Sequence, residues 1–385
     1  MSRLYKTPVV LKNFTDDSAN YKPLPAPTFP APYRLNIATI LPDSADTLSE
    51  NMSFHMVGDT GSVRHSNFQA LVAKSLADQI NNSPLEKRPA FLYHLGDIVY
   101  NHGEAHEYPE QFLKPYSLYD APIFAIPGNH DADINPTTPK PYTSLEAFMQ
   151  VFCASEQGPI PFAPESSRHS MVQPNPYWTL ETPLARFIGL YPNIVKFGTI
   201  DEEQRAWFIK ELQYAKSFRH EQALIVCLHH APYSADWNHG SSLAMIEFLE
   251  TAFAKTGIYP DLVCSGHVHN YQRFAKQNAD GSTTPYLVAG AGGYADLHGV
   301  AELSDPRVQP LSAVNKNTAQ VSLEAYCDRS FGFLRLDIKK TKNDLLIAGT
   351  YYAFPRVFDP EANMQPKVFD TFEIPIKLKH VTTIE

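Results

Sequence analysis

Cys264-Ser265-Gly266-His267-Val268-His269 is the stretch from which the rest of the chain is read. Leu262, Val263 and Cys264 read as the end of a buried strand. Ser265-Gly266 breaks it, and two imidazoles follow with one residue between them. Side chains at i and i+2 near a strand end point the same way, and imidazole suits transition-metal cations. An isolated pair of this kind is equally the mark of two histidines capping a strand end. The stretches around it decide the matter.

Working outward, short apolar strands alternate with amphipathic helices from Ser53 onward. A strand over 54–57 ends at Gly58-Asp59-Thr60-Gly61, and a helix over 68–80 follows. A strand over 90–95 ends at Gly96-Asp97, and one over 123–126 ends at Pro127-Gly128-Asn129-His130. Between them, 107–118 reads as helical with a break near Pro115. A hairpin over 177–181 and 185–190 leads to Asp201-Glu202-Glu203-Gln204, a capping-box signature with Asp201 as N-cap. The apolar run 223–228 ends at His229-His230, and a helix over 243–255 precedes the anchor strand. Strands over 286–289, 331–338 and 345–351 close the chain, with Gly290-Ala291-Gly292-Gly293 as a strand-end turn. Each polar cluster follows a strand's C-terminal end, the edge where open α/β sheets collect ligands.

The bulk numbers suit this reading. The chain has 385 residues with 43% hydrophobic and 19% charged side chains, enough for a full core. A net charge of −9 leaves no polycation footprint for nucleic acid as main partner. Cys153, Cys227, Cys264 and Cys327 show no paired spacing, which fits a reducing compartment. No signal peptide or membrane-length apolar run is visible, so a cytoplasmic location is expected. Residues 1–50, with prolines at 23, 25, 27, 30 and 32, are expected as an N-terminal extension over the surface. A single domain over 51–385 is expected, with an irregular insert at 135–175 serving as a lid or wall.

Taken as a set, Gly58-Asp59-Thr60-Gly61, Gly96-Asp97-Ile98-Val99-Tyr100, Gly128-Asn129-His130-Asp131, His230-Ala231-Pro232 and Gly266-His267-Val268-His269 resemble a known signature. It is that of calcineurin-like metallophosphoesterases, and more narrowly of purple acid phosphatases, for which Tyr100 and Gly61 discriminate. His239-Gly240, nine residues after His230, resembles a substrate-contacting pair of the same family. The resemblance implies an α/β fold with a layered β-sandwich core flanked by helices, in four layers. It also implies two metal ions bridged by Asp97. Asp59, Asp97, Tyr100 and His269 would hold Fe(III), while Asp97, Asn129, His230 and His267 would hold Zn(II), Mn(II) or Fe(II). Carboxylate and phenolate oxygen suit the harder ion. The implied activity is hydrolysis of a small phosphomonoester by a metal-bound hydroxide, with His130 assisting the leaving group and His239 placing the phosphate. A phosphodiesterase or nucleotide pyrophosphatase of the same fold, or a non-catalytic metal-bearing scaffold, are the competing readings.

Each residue also has a plain structural reading. Asp59 and Asp97 suit turns, Tyr100 a packed aromatic, and Asn129 a left-handed turn. Only their joint order removes these readings. His229 is expected on the face opposite His230, in the core or behind a ligand. Asp131 is a candidate to orient His130, and Arg64 and His65 are candidates to reach a phosphate.

Overall fold

The computed structural model describes residues 3–378 except 14, 65, 317–319 and 343. His65 therefore lies outside the described residues. In chain order the strands are β1 (Val9–Leu11), β2 (Arg34–Asn36), β3 (Asn51–Val57), β4 (Pro89–His94), β5 (Ile123–Ala125), β6 (Trp178–Glu181), β7 (Ala185–Leu190) and β8 (Ala223–Leu228). There follow β9 (Leu262–Ser265), β10 (Tyr271–Gln277), β11 (Thr283–Ala289), β12 (Val308–Pro310), β13 (Val321–Cys327), β14 (Gly332–Lys340), β15 (Asp344–Ala353) and β16 (Lys367–Lys377). The α-helices are α1 (Ala45–Glu50), α2 (Asn67–Asn82), α3 (Asn129–Ala132), α4 (Glu146–Phe152), α5 (Glu202–Ala215) and α6 (Leu243–Thr256).

Two sheets carry the molecule. One runs β16-β15-β14-β3-β4-β5 and the other β13-β10-β11-β9-β8-β7-β6-β2, while β1 pairs with β12 apart from both. Within the first, β3, β4 and β5 are parallel; within the second, β7, β8, β9 and β11 are parallel. Parallel neighbours need a crossover, which α2 supplies between β3 and β4, α5 between β7 and β8, and α6 between β8 and β9. The sheets meet through aromatic rings. Phe187 of β7 stands edge-on to Phe54 of β3 at 5.1 Å and to Phe91 of β4 at 5.8 Å, and stacks on Tyr93 at 5.7 Å. All four side chains are buried, each burial contributing about 2 kcal/mol of transfer free energy. With α2 against β4 and the packed pair α5 and α6 against β7, the layered α/β architecture expected from the sequence is present.

Local chemistry explains the helix ends. Asp201 accepts the Gln204 amide at 2.8 Å, as an N-cap should. The Gln204 side chain does not return to Asp201, however; it bonds the Tyr191 N–H and C=O at 2.9 and 3.0 Å and ties α5 to the end of β7. Helix α6 begins at the Ser242 cap and stops at Gly257 in a left-handed conformation, φ 66°. The segment 107–118 departs from the expected helix and forms a π-helical turn over Pro109–Leu113.

The proline-rich N-terminal stretch does more than cover a surface. It contributes β2 to the edge of the eight-stranded sheet and β1, whose Val9 amide donates to Ser234 O at 2.8 Å and whose Val9 O accepts from Ser241 N at 2.7 Å. The insert at 135–175 is anchored at both ends. Ser144 Oγ donates to Ala132 O, and the Arg168 guanidinium donates to the carbonyls of Tyr116, Tyr119 and Ala121. The four cysteines are free and buried. Among the described residues no helix is long and apolar enough to cross a membrane.

Candidate metal centre

The C-terminal ends of the parallel strands from both sheets face one another, and the turns leaving them meet there. Asp59 follows β3, Asp97 follows β4, Asn129 follows β5, His229 follows β8, and His267 and His269 follow β9. Asp59, Asp97 and His267 adopt positive φ, at 58°, 54° and 66°. For residues with a Cβ this conformation costs of order 1 kcal/mol or more and clusters at functional sites. Close approach of the turns also fixes two glycines. A Cβ at Gly266 would sit 2.6 Å from Asp59 Oδ2, and one at Gly128 would collide with Asp97 Oδ1.

Asp97 lies at the middle. Its Oδ2 accepts the Tyr100 hydroxyl at 2.9 Å and stands 3.3 Å from His229 Nε2, while Oδ1 accepts the His130 amide at 2.9 Å. On one side, the Tyr100 oxygen is 3.3 Å from both Asp59 Oδ1 and His269 Nε2, and those two are 3.5 Å apart. Tyr294, which no motif pointed to, stacks on the Tyr100 ring at 3.9 Å. On the other side, donor atoms of Asp97, His229 and His267 lie within 4.8 Å of one another, and Asn129 Oδ1 is 3.0 Å from His267 Nδ1. Outer contacts aim the rings: His229 Nδ1 bonds Leu95 O at 2.8 Å and His269 Nδ1 bonds Asp296 O at 2.9 Å. Such contacts orient ligand histidines.

The structure reverses the expectation for the histidine pair after β8. Alternation stops where the strand does, at Leu228, and the turn brings His229 to Asp97. His230 gives Nε2 to Val195 O at 2.9 Å, and it is absent from the groups of converging donors. Asp131 likewise departs from its expected part. It accepts the amides of Ile98, Val99 and Gly128 at 2.9, 3.1 and 2.8 Å, whereas His130 Nδ1 rests on Asn101 O at 2.6 Å. Arg64 pairs with Asp296 at 3.0 Å on the exposed surface. His239 stands with its ring 4.4 Å from that of His267.

The electrostatics follow from burial and pairing. Burial pushes Asp59 well above the usual carboxylate range, the His229 charge opposing and the Asp97 charge adding to it. Burial acts the same way on Asp97, but the charges of His229 and His130 prevail and hold it below that range. Burial would lower His229, yet Asp97 lifts it to about 9. Burial and the neighbouring carboxylates push the Tyr100 phenol well above its ordinary value.

The donor set fits metal cations. His229 Nε2 is a buried nitrogen with no hydrogen-bond partner, aimed at a carboxylate that already serves Tyr100. Such an orphan is what a bound cation satisfies. Two carboxylates, a phenol and an imidazole lie on one side, with a shared carboxylate, two imidazoles and an amide oxygen on the other. A parallel-strand sandwich with such a rim defines a class of metal-dependent phosphoesterases. The chain belongs to the calcineurin-like phosphoesterase family, whose model matches residues 52–271; the family uses a dinuclear metal centre. Over 272 residues the chain is 24% identical to tartrate-resistant acid phosphatase type 5 of Homo sapiens, spanning 67% of this chain and 78% of that protein. Two solved structures share the fold. "GAP50 the anchor in the inner membrane complex of Plasmodium" has a TM-score of 0.56 at 15% identity, covering 87% of this chain and 91% of that one. PhoD has a TM-score of 0.53 at 13% identity, covering 86% and 72%.

Proposed function

We propose that this chain is a phosphomonoesterase of the purple acid phosphatase type, working with a pair of cations that share Asp97. The observation that carries the proposal is the position of Asp97 Oδ2, 2.9 Å from the Tyr100 hydroxyl and 3.3 Å from His229 Nε2, so that one carboxylate serves both donor groups. Asp59, Tyr100 and His269 would complete the side suited to Fe(III); Asn129, His229 and His267 would complete the side suited to Zn(II), Mn(II) or Fe(II). When bound, the pair supplies Lewis acidity toward the phosphate and lowers the pKa of water to near neutrality.

The remaining work falls to the protein. The Asn101 carbonyl on His130 Nδ1 keeps a proton on that nitrogen. The Nε2 end then carries a proton only in the imidazolium form, which can donate to the leaving-group oxygen. His239 turns Nδ1 toward Asp236, 3.6 Å away, leaving Nε2 to hold a phosphate oxygen. Tyr294 and His130 flank the Tyr100 ring at 3.9 and 4.4 Å and keep its oxygen on Asp97. The test is turnover of an aryl phosphate against its bis-aryl diester by metal-loaded protein. The monoester should be strongly preferred; preference for the diester contradicts the proposal, and no hydrolysis of either supports a non-catalytic scaffold.

A further inference from the structure

Beside the rim, and outside the residues assigned to the cation pair, lies another group of converging donors. Asp236, His239 and His298 each offer a ligand atom within 4.8 Å of the others. They come from two loops, 234–241 after β8 and 294–301 after β11, which β1 and its flanks bind together. Val9 joins Ser234 and Ser241, Tyr5 N donates to Ala301 O at 3.0 Å, and Leu303 N donates to Arg3 O at 2.8 Å.

Asp236 is wholly buried and incompletely satisfied. Its Oδ1 accepts the amides of Asn238 and His239 at 2.8 and 2.6 Å, but Oδ2 has no partner. Its ion-pair contact among the described residues is His239 Nδ1 at 3.6 Å, beyond hydrogen-bond reach, and that nitrogen is also buried without a partner. The nearby Arg307 is committed elsewhere, to Asp305 and to the face of Trp237. One carboxylate thus carries a buried oxygen without a partner, and 3.6 Å from its other oxygen lies a buried imidazole nitrogen without one, polar atoms that a cation would satisfy. His298 completes the set; its Nε2 lies 3.1 Å from the Asn238 amide nitrogen, a contact that a cation would replace. One carboxylate and two imidazoles match the donor chemistry of Zn(II) and similar divalent ions. A cavity of about 750 Å³ is lined by Trp237 and Gly299, the residues next in the chain to Asp236 and His298.

We propose that Asp236, His239 and His298 form a third divalent-cation site abutting the catalytic pair. A cation on His239 Nδ1 would fix the ring and sharpen its Nε2–H as a donor to the phosphate; this consequence rests on the phosphatase reading, whereas the binding itself does not.

The test is zinc stoichiometry of the full chain, stripped with chelator, equilibrated with Zn(II) by dialysis and measured by elemental analysis. Wild type should hold three ions per chain, and Asp236→Asn and His298→Gln two each. Asp97→Asn should lose ions from the pair while keeping the third. Asn at 236 retains an acceptor for the two loop amides, and His298→Gln changes a less buried position; circular dichroism checks that each variant is folded. Saturation of wild type at two ions, unchanged in His298→Gln and reduced in Asp97→Asn, would overturn the third site and leave the catalytic pair standing. The Asp236–His239 contact would then be a carboxylate–imidazole pair without a cation.

Discussion

His229 and His230 are adjacent in sequence, yet one faces Asp97 and the other a backbone carbonyl. Replacing them separately turns that difference into a measurement. His229→Ala should lose an ion of the pair and lower kcat/KM by a hundredfold or more, whereas His230→Ala should keep the metal content and lose far less activity; elemental analysis and kinetics on the same samples read both. Strand alternation separates the two but assigns the wrong one to Asp97, because β8 ends at Leu228 and the chain turns there. Tyr100 was legible, since an Asp-x-x-Tyr spacing following a strand has few other uses in this signature. In iron-loaded protein its phenolate should give a visible absorption band, and Tyr100→Phe should remove it. A colourless iron-replete wild type would remove Tyr100 from the metal centre. Tyr294 and His298 carried no signal: each lies in a loop after β11 and matters only through what folding places beside it.

The elements that were easiest to read are the buried parallel strands β4, β8 and β9 and the capped helices α5 and α6, whose apolar runs and boundary residues agree. The strands without a counterpart in the sequence reading are the three-residue β1, β2 and β12 and the longer β10, β13 and β16; the longer ones mix polar and apolar residues and carry lysine, glutamate or proline. Asp131 shows how the turns between elements are held, as it ties the turn after β4 to the one after β5 through three amides. Asp131→Ala would leave those buried donors unpaired, at about 1–3 kcal/mol each. The expected result is a loss of at least about 3 kcal/mol in urea unfolding, with Asp131→Asn costing less. On the same rim, β1 clamps the loop that carries His239. Deleting residues 1–12 should lower kcat while the ions at Asp97 remain bound; an unchanged kcat would mean that the loop is held without β1.

Across the whole molecule, two sheets packed through Phe54, Phe91, Tyr93 and Phe187 hold the strand ends rigidly enough to keep three site residues in the left-handed region. The core that does this is also acid-sensitive. His55 is buried between Tyr119 Oη at 3.1 Å and Gln79 Oε1 at 3.0 Å, and burial pushes its pKa down to about 3. An unfolded histidine titrates near ~6.5, so the unfolded chain binds more protons between these values. The contribution to stability is therefore full above that pH and is lost as pH falls toward the folded value. Between pH 7 and 5 it should cost the wild type about 2 kcal/mol more than His55→Gln, read from urea midpoints.

Anomalous diffraction from crystals of the metal-loaded protein bears most directly on the site itself. Two peaks should flank the Asp97 carboxylate, one within bonding distance of Asp59, Tyr100 and His269 and the other of Asn129, His229 and His267. Absence of a peak at Asp97, or a single peak that leaves either group of donors empty, would contradict the account.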